Sequence, residues 1–311
     1  MLKVCYVGNV EFSWEVLNEF LSNRYPIQAV FQVNEEGAKF HSDFRSTRDL
    51  AEKHGIPYHT FRNINEPENV AVLKRYEPDV LLVFGLSQII RPEVLYLPKV
   101  GCIGTHPSLL PKNRGRAAIP WSILKGLKES GLTFFFLDEG MDSGDVILQE
   151  RWEITEEDTA TTLYGKMVEA GKRGARKLMQ YFREGKIPRT PQDHSQATFW
   201  EKRTPEDGLI RWNAMTVKQI HDLVRAVTTP YPGAFTYYRG DKVTFWASAY
   251  RAGETGRPPG EILGVKSDGL EVSAIDGTLV VKDLEVGGRR GKPPEFAGKF
   301  ERGEKFCERC A

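Results

Sequence analysis

Apolar residues follow two rhythms along this chain, and the rhythm changes near residue 190. In the first part, short apolar runs alternate with stretches whose apolar positions recur every three or four residues. LKVCYVG reads as a strand, and 13–22 as a helix with Trp14, Val16, Leu17, Phe20 and Leu21 on one side. IQAVFQV predicts the next strand, 48–54 the next helix, and IPYHTF a third strand. A helix over 66–76 leads into PDVLLVFG, a continuous apolar run suited to a strand buried on both faces. KVGCIGTH follows, then a helix over 119–127 and the run GLTFFFLD. Such alternation predicts an α/β unit. In sheets of that kind ligands bind at the carboxyl ends of the strands, which places His106 and the loop after Phe136 at the ligand-binding edge.

A long amphipathic stretch over 159–183 closes this part, with Glu156, Glu157 and Asp158 at its start, where the helix dipole favours acids. IPRTPQDHSQATFWEKRTPEDG is polar and proline-bearing and reads as a linker. Beyond it, a helix over 216–227 carries Val217, Ile220, Leu223 and Val224 on one face. Short alternating strands follow, joined by RGD, SDG and IDG turns. The expected architecture is therefore a Rossmann-like, mostly parallel sheet with helices on both faces, plus a smaller C-terminal β-barrel (OB-like) domain. The boundaries expected are 1–190, a linker over 191–208, and 209–311.

Composition narrows the class. A chain of 311 residues fits two domains, and 40% hydrophobic content excludes wholesale disorder. Lys and Arg number 43 against 42 acids, a net charge of +1. This balance argues against a long phosphate backbone as partner. The N-terminus lacks the apolar core of a signal peptide, and no run nears the roughly 20 apolar residues of a membrane span. Cys5 and Cys102 sit in strand-like runs as small buried hydrophobes, which suits a reducing cytoplasm. Cys307 and Cys310 form a terminal Cys-x-x-Cys without a second ligand pair, so no metal site is expected.

The chemistry concentrates between 100 and 149. His106 ends an apolar run, where an imidazole carries a proton or stabilises an oxyanion. Asp142, in DEGMDSGD, offers a carboxylate to orient it. Each alone reads equally as a turn or packing residue. GxSxG, HExxH and Walker motifs are missing, which leaves serine hydrolase, zinc protease and P-loop chemistry without support.

Together, GTHPSLLPKNRGRAAIPWSILKG and SGLTFFFLDEGMDSGDVILQ resemble the signature of formyltransferases that use 10-formyltetrahydrofolate. That family includes glycinamide ribonucleotide, methionyl-tRNA and sugar-amine members. LKVCYVG, VFGLSQIIRPEVL and ITEEDTATTLYGKM fit its catalytic domain. WEKRTPEDGLIRWNAMTVKQIHDLVRAVTTPYPGAFTYYRGDKVTFWAS is similar to the second domain of its tRNA and aminoarabinose members. The resemblance spans residues 1 to about 285. It implies that an amine attacks the formyl carbon while an Asn-x-His pair holds the formyl oxygen and an Asp supports the His. His106 and Asp142 match the His and the Asp. Gly104 stands at the Asn position, on the same strand face as His106, and departs from the pattern.

Loss of one oxyanion donor costs about 10²–10³ in turnover. Three readings follow: another donor substitutes (Asn113, Thr105 or a backbone amide), the enzyme is slow or specialised, or transfer is lost and binding kept. The survival of His106, Asp142 and the SLLP loop favours a working enzyme. By the resemblance, the folate co-substrate lies between Phe84, Gly85, Leu86, Ser87, Gln88, Ile89 and Ile90 on one side and Asp138, Glu139, Gly140 and Met141 on the other. Asn9, Ser108, Asn113, Arg114 and Arg116 would face the acceptor. Arg114 and Arg116 suit a phosphate or are solvated loop charges. The mixed-sign segment NEEGAKFHSDFRSTRD and the loop PKNRGRAAIPW lean away from tRNA. The leading acceptor is a nucleotide-linked amino sugar, with methionyl-tRNA as runner-up and a non-catalytic folate-binding homologue as the other class. A homodimer is open.

Overall fold

The computed structural model describes residues 1–38, 43–296 and 298–309, which fall into two compact units. The first comprises 1–118, 128–153 and 164–201. Its seven-stranded sheet has the order β3-β2-β1-β4-β5-β7-β8. Five strands run parallel: β1 (Val4–Gly8), β2 (Ala29–Val33), β3 (Tyr58–Phe61), β4 (Val80–Phe84) and β5 (Gly101–His106). β7 (Glu129–Phe136) and β8 (Val146–Glu153) are antiparallel additions. The mostly parallel sheet expected from the sequence is thus present.

The residues explain the layering. Val4–Gly8, Ala29–Val33 and Val80–Phe84 are buried throughout, as strands covered on both faces must be. On one face Cys5, Val7, Phe31, Leu81, Val83 and Cys102 form a core with Val70 and Leu73 of α4 (Pro67–Arg75) and Val94 and Leu95 of α5 (Pro92–Leu95). On the other, Phe84 stands edge-on to Tyr6, Phe12 and Phe134. Phe12 belongs to α1 (Glu11–Ser22), which also buries Val16, Leu17, Phe20 and Leu21. Short helices α2 (Glu35–Ala38) and α3 (Arg48–Lys53) follow β2. α7 (Ala160–Glu184) is the long amphipathic helix; from its later turns Arg173 and Lys177 reach Glu150 of β8.

Two short segments add a parallel pair beside the sheet, β6 (Arg114–Gly115) and β9 (Phe199–Trp200). β9 lies within the stretch expected to be a linker, and residues up to 201 group with the first unit.

The second unit comprises 119–127, 154–163 and 202–311, with most of α6 (Ala118–Leu124) in it. α8 (Val217–Val227) is capped by Thr216, whose hydroxyl accepts from the Gln219 N–H, and it buries Val217, Ile220, Leu223 and Val224 as its period predicts. β10 (Ala234–Tyr238), β11 (Asp241–Ala252), β14 (Gly277–Val286), β13 (Gly269–Ala274) and β12 (Ile262–Lys266) form an antiparallel sheet in that order, with β15 (Arg289–Gly291) on β14. The chain end joins its two edges: Cys307 bridges Tyr237 and Lys305 bridges Glu261. That closure gives the barrel character expected, and it holds Cys307 against Tyr237. Cys310 lies outside the described residues. Trp212, stacked on Phe306, fills the interior. Among the described residues no helix is long and apolar enough to cross a membrane.

Candidate active site

His106 closes β5 and is 6% exposed. Because β7 runs antiparallel to β5, with Thr133 beside His106 and Phe136 beside Ile103, the chain leaves β7 three residues back from His106. The loop after Phe136 therefore does not start at the ligand-binding edge, contrary to the sequence expectation. The DEGMDSG turn doubles back, and Asp142 reaches His106 only through that fold-back: its Oδ2 lies 3.6 Å from His106 Nδ1. Asp142 adopts a left-handed backbone (φ 50°), which aspartate tolerates better than most residues.

Both ring nitrogens of His106 face acceptors. Nε2 donates to the Asn113 carbonyl at 2.7 Å, and Nδ1 faces the Asp142 carboxylate at ion-pair distance. Asp142 Oδ2 also accepts from the Gly115 N–H at 2.9 Å. One carboxylate thus spans the imidazole and the backbone of β6.

Gly104 is the position where the family resemblance asks for an amide. A Cβ built there would lie 2.5 Å from Leu137 Cδ2 and 3.2 Å from Leu137 Cγ. The glycine is thus more than a missing side chain, because its space is filled. Leu137, half-buried, packs on the same core as Leu86, Ile90 and Leu97. All four are partly buried on that core, while Ile89, Tyr96 and Met141 are strongly exposed.

The remaining residues sort by what they touch. Phe84 is wholly buried, and its carbonyl accepts from Ser13 Oγ at 2.6 Å. Gly85 turns the chain with φ +67°, close against Val10 and Ser13. Gln88 is spent on the loop itself: its Nε2 donates to the Arg62 carbonyl and its Oε1 accepts from the Ile64 N–H. Ser87 is exposed. Asp138 caps its own turn, accepting from Ser143 Oγ and the Gly140 N–H, and Glu139 accepts from Tyr96 Oη at 2.8 Å. Met141 is 62% exposed next to Asp142.

On the acceptor side two expectations change. Ser108 is fully buried, donating to the Lys112 carbonyl, so its hydroxyl holds the loop. Arg114 is neither solvated nor open to a phosphate: it is 4% exposed, and its Nη2 lies 2.6 Å from Gln192 Oε1 and 3.1 Å from His194 Nδ1. Arg116 is exposed and Asn113 partly so. Asn113 Oδ1 accepts from Thr198 Oγ1, whose oxygen in turn accepts the Asn113 N–H. Asn9, at the end of β1, is wholly buried, and neither polar atom of its side chain has a partner among the described residues.

Sequence reasoning missed Leu137, Gln192 and Thr198. Gln192 and Thr198 lie in the supposed linker, and Leu137 is one more apolar residue in an apolar run. No local pattern announces any of them.

Comparison with known proteins gives a consistent result. Residues 14–178 match the family model for formyl transferase, and residues 202–300 that for the formyl transferase C-terminal domain. The methionyl-tRNA formyltransferase of Alkaliphilus oremlandii is 33% identical over 294 residues, 93% of each chain. That of Ruminiclostridium cellulolyticum is 33% identical over 98% of this chain and 99% of its own. Among solved structures, the N-formyltransferase of Helicobacter canadensis, in complex with folinic acid and dTDP-3-aminofucose, aligns with TM-score 0.67 at 20% identity, covering 90% of this chain and 99% of its own. HypX of Aquifex aeolicus, in complex with tetrahydrofolic acid, aligns with TM-score 0.68 at 18% identity, covering 99% of this chain and 51% of its own.

Proposed function

From the premise that this chain belongs to the formyl transferase family, we propose that His106 and Asp142 carry formyl transfer from 10-formyltetrahydrofolate to a primary amine, without an amide at position 104. The family's enzymes are folate-dependent, and 10-formyltetrahydrofolate is the one-carbon donor. The observation that carries the site assignment is the contact of Asp142 with His106 at 3.6 Å, made by a turn that has to double back to reach it.

The residues present fit a folate. Leu86, Ile90, Leu97 and Leu137, all partly buried on one core, offer apolar surface to a flat ring system, and glycine at 104 leaves Leu137 its place there. The co-substrate supplies the formyl carbon and a leaving nitrogen. As the amine attacks, the new C–N bond forms, charge builds on the formyl oxygen, and the bond to the leaving nitrogen breaks. His106 stabilises that oxygen by donating a hydrogen bond. Its Nε2–H already serves the Asn113 carbonyl, so the oxygen shares or displaces that bond. The amine loses one proton and the leaving nitrogen gains one. Asp142 holds the imidazole facing the reaction and stabilises it when it is charged. With Leu137 in the space beside Gly104, the second oxyanion donor comes from elsewhere, and the partly exposed Asn113, whose own backbone carbonyl His106 meets, is a candidate.

For the acceptor, the relatives that align over nearly the whole chain are methionyl-tRNA formyltransferases. They support methionyl-tRNA above the nucleotide-linked amino sugar that the charge pattern favours. The amino sugar stays as a second reading because of the segment after β2. Its described basic residues are already engaged: Arg45 lies 3.4 Å over the Trp14 ring and pairs with Glu11 and Glu15, and Arg48 pairs with Glu52. Arginines held this way have little to offer a phosphate backbone. Lys39 lies outside the described residues.

The test is transfer from 10-formyltetrahydrofolate to methionyl-tRNA and to a panel of nucleotide-linked amino sugars, with His106→Ala alongside. Transfer to methionyl-tRNA that disappears in the variant is the expected result. Transfer to a sugar alone moves the acceptor to the second reading. Donor binding without transfer to any amine contradicts the enzymatic role.

A further inference from the structure

The two loops that hold His106 belong to distant parts of the chain. Residues 113–115 supply the carbonyl that meets Nε2 and the N–H that meets the Asp142 carboxylate. Residues 142–144 supply that carboxylate and turn with a left-handed backbone at Asp142. A single side chain joins them from behind. Gln192 Nε2 donates to the carbonyls of Asp142 (2.9 Å) and Gly144 (2.7 Å), while Gln192 Oε1 accepts from Arg114 Nη2 at 2.6 Å. Gln192 is 8% exposed and Arg114 4%.

We infer that Gln192 is the positioning residue for the Asp142–His106 pair, an inference that rests on formyl transfer at this site. Its amide has two donors and one acceptor oxygen, and this place uses both kinds. The donors close the Asp142–Gly144 turn, and the acceptor ties that turn to the residue between Asn113 and Gly115. Rotation of the turn about Asp142 would move the carboxylate away from Nδ1 and the Gly115 N–H together, and Gln192 blocks that rotation. The neighbouring chain repeats the tie: the Arg114 N–H donates to the Thr198 carbonyl, and Thr198 Oγ1 bonds the side chain and N–H of Asn113. The stretch 192–200 is thus a clamp on the catalytic loops.

A buried amide that only satisfied turn carbonyls would also stabilise the fold, so a decisive experiment separates position from stability. The experiment is a double-mutant cycle on kcat: Gln192→Leu in the natural chain and in Asp142→Asn. Misplacing a catalytic group by about 1 Å costs on the order of 10²-fold. The expected result is a fall of roughly 10–100-fold in the natural background. In Asp142→Asn, where the carboxylate is already gone, the fall shrinks to within about threefold because the two residues act as one unit. KM for the folate donor changes little in either. An equal fall in both backgrounds makes Gln192 merely structural and overturns the inference, as does no fall at all.

Gln192→Glu keeps the size and the Arg114 contact but has no donors for the two carbonyls, so it loses activity like Gln192→Leu. A fully active Gln192→Glu also overturns the inference. Should the natural chain transfer nothing, the functional reading fails separately, and the His106 ring resonances in ¹H–¹⁵N spectra still decide on position. They move in Gln192→Glu toward those of Asp142→Asn if Gln192 positions the pair, and stay unmoved if it does not.

Discussion

Replacing Gly104 with asparagine forces Leu137 out of its place. The new Cβ would stand 2.5 Å from Leu137 Cδ2 and 3.2 Å from Cγ, and the first distance is shorter than side chains tolerate. Cδ2 is the end of a flexible side chain, so the strain is relieved by turning Leu137 away from the core it packs on. Overpacking of this kind costs about 1–3 kcal/mol, which lowers Tm by roughly 2–4 °C for each kcal/mol in a unit of this size. Leu137→Ala opens the space, so the asparagine should cost far less in that background, with a coupling of about 0.5–3 kcal/mol between the two positions. Thermal unfolding of the four proteins measures it. Turnover follows the same logic: Gly104→Asn alone should lower it, because the displaced leucine disturbs the packing beside His106's strand, and Leu137→Ala should partly restore it. A single Gly104→Asn variant as stable as the natural chain, with turnover raised about 10²-fold by the added donor, would refute the claim that the site is built around the glycine.

Burial pushes the thiols of Cys5 and Cys102 up to about 12, so neither should react with a thiol reagent at pH 8 until the protein unfolds, and a count of native reactive thiols checks this. Burial alone would raise the Glu150 carboxyl, but hydrogen bonds from Lys177 and Arg173 outweigh it and hold the group below the usual carboxylate range. The stability this supplies is full above the ordinary carboxylate value of about 4.3 and is lost as pH falls through the lower folded value. The Tm advantage over Glu150→Gln should therefore be constant from neutral pH to about pH 5 and shrink below about 4.3. Thr216→Ala removes the hydroxyl that caps α8 and should destabilise the second unit by about 1 kcal/mol, read by thermal or denaturant unfolding.

Much of the fold is legible because it rests on local pattern. Strands such as Val80–Phe84 announce themselves by unbroken apolar character, and α8 by its cap and its face. Strand direction does not show this way. GLTFFFLD reads alike in either direction because it is apolar along its length, so the antiparallel course of β7 and the fold-back of Asp142 stay hidden. β8 escapes notice because its second half, QERWE, is mostly polar, with even its buried position held by Glu150. His106, Asp142 and Gly104 stand out by family likeness. Gln192, Thr198 and Leu137 do not, since each matters through a partner far along the chain. Gln192 looks like linker polarity until its three hydrogen bonds appear.

The central claim is that His106 and Asp142 carry the transfer with glycine at 104, and the release of tetrahydrofolate tests it most directly. The enzyme would be mixed with 10-formyltetrahydrofolate and the amine it accepts, and the freed tetrahydrofolate followed in single turnover for the natural chain and for His106→Ala. The account predicts release by the natural chain in step with amine formylation, and a fall of roughly 10²–10³ in the variant. Equal release by both proteins, or donor binding with no release by either, would contradict it.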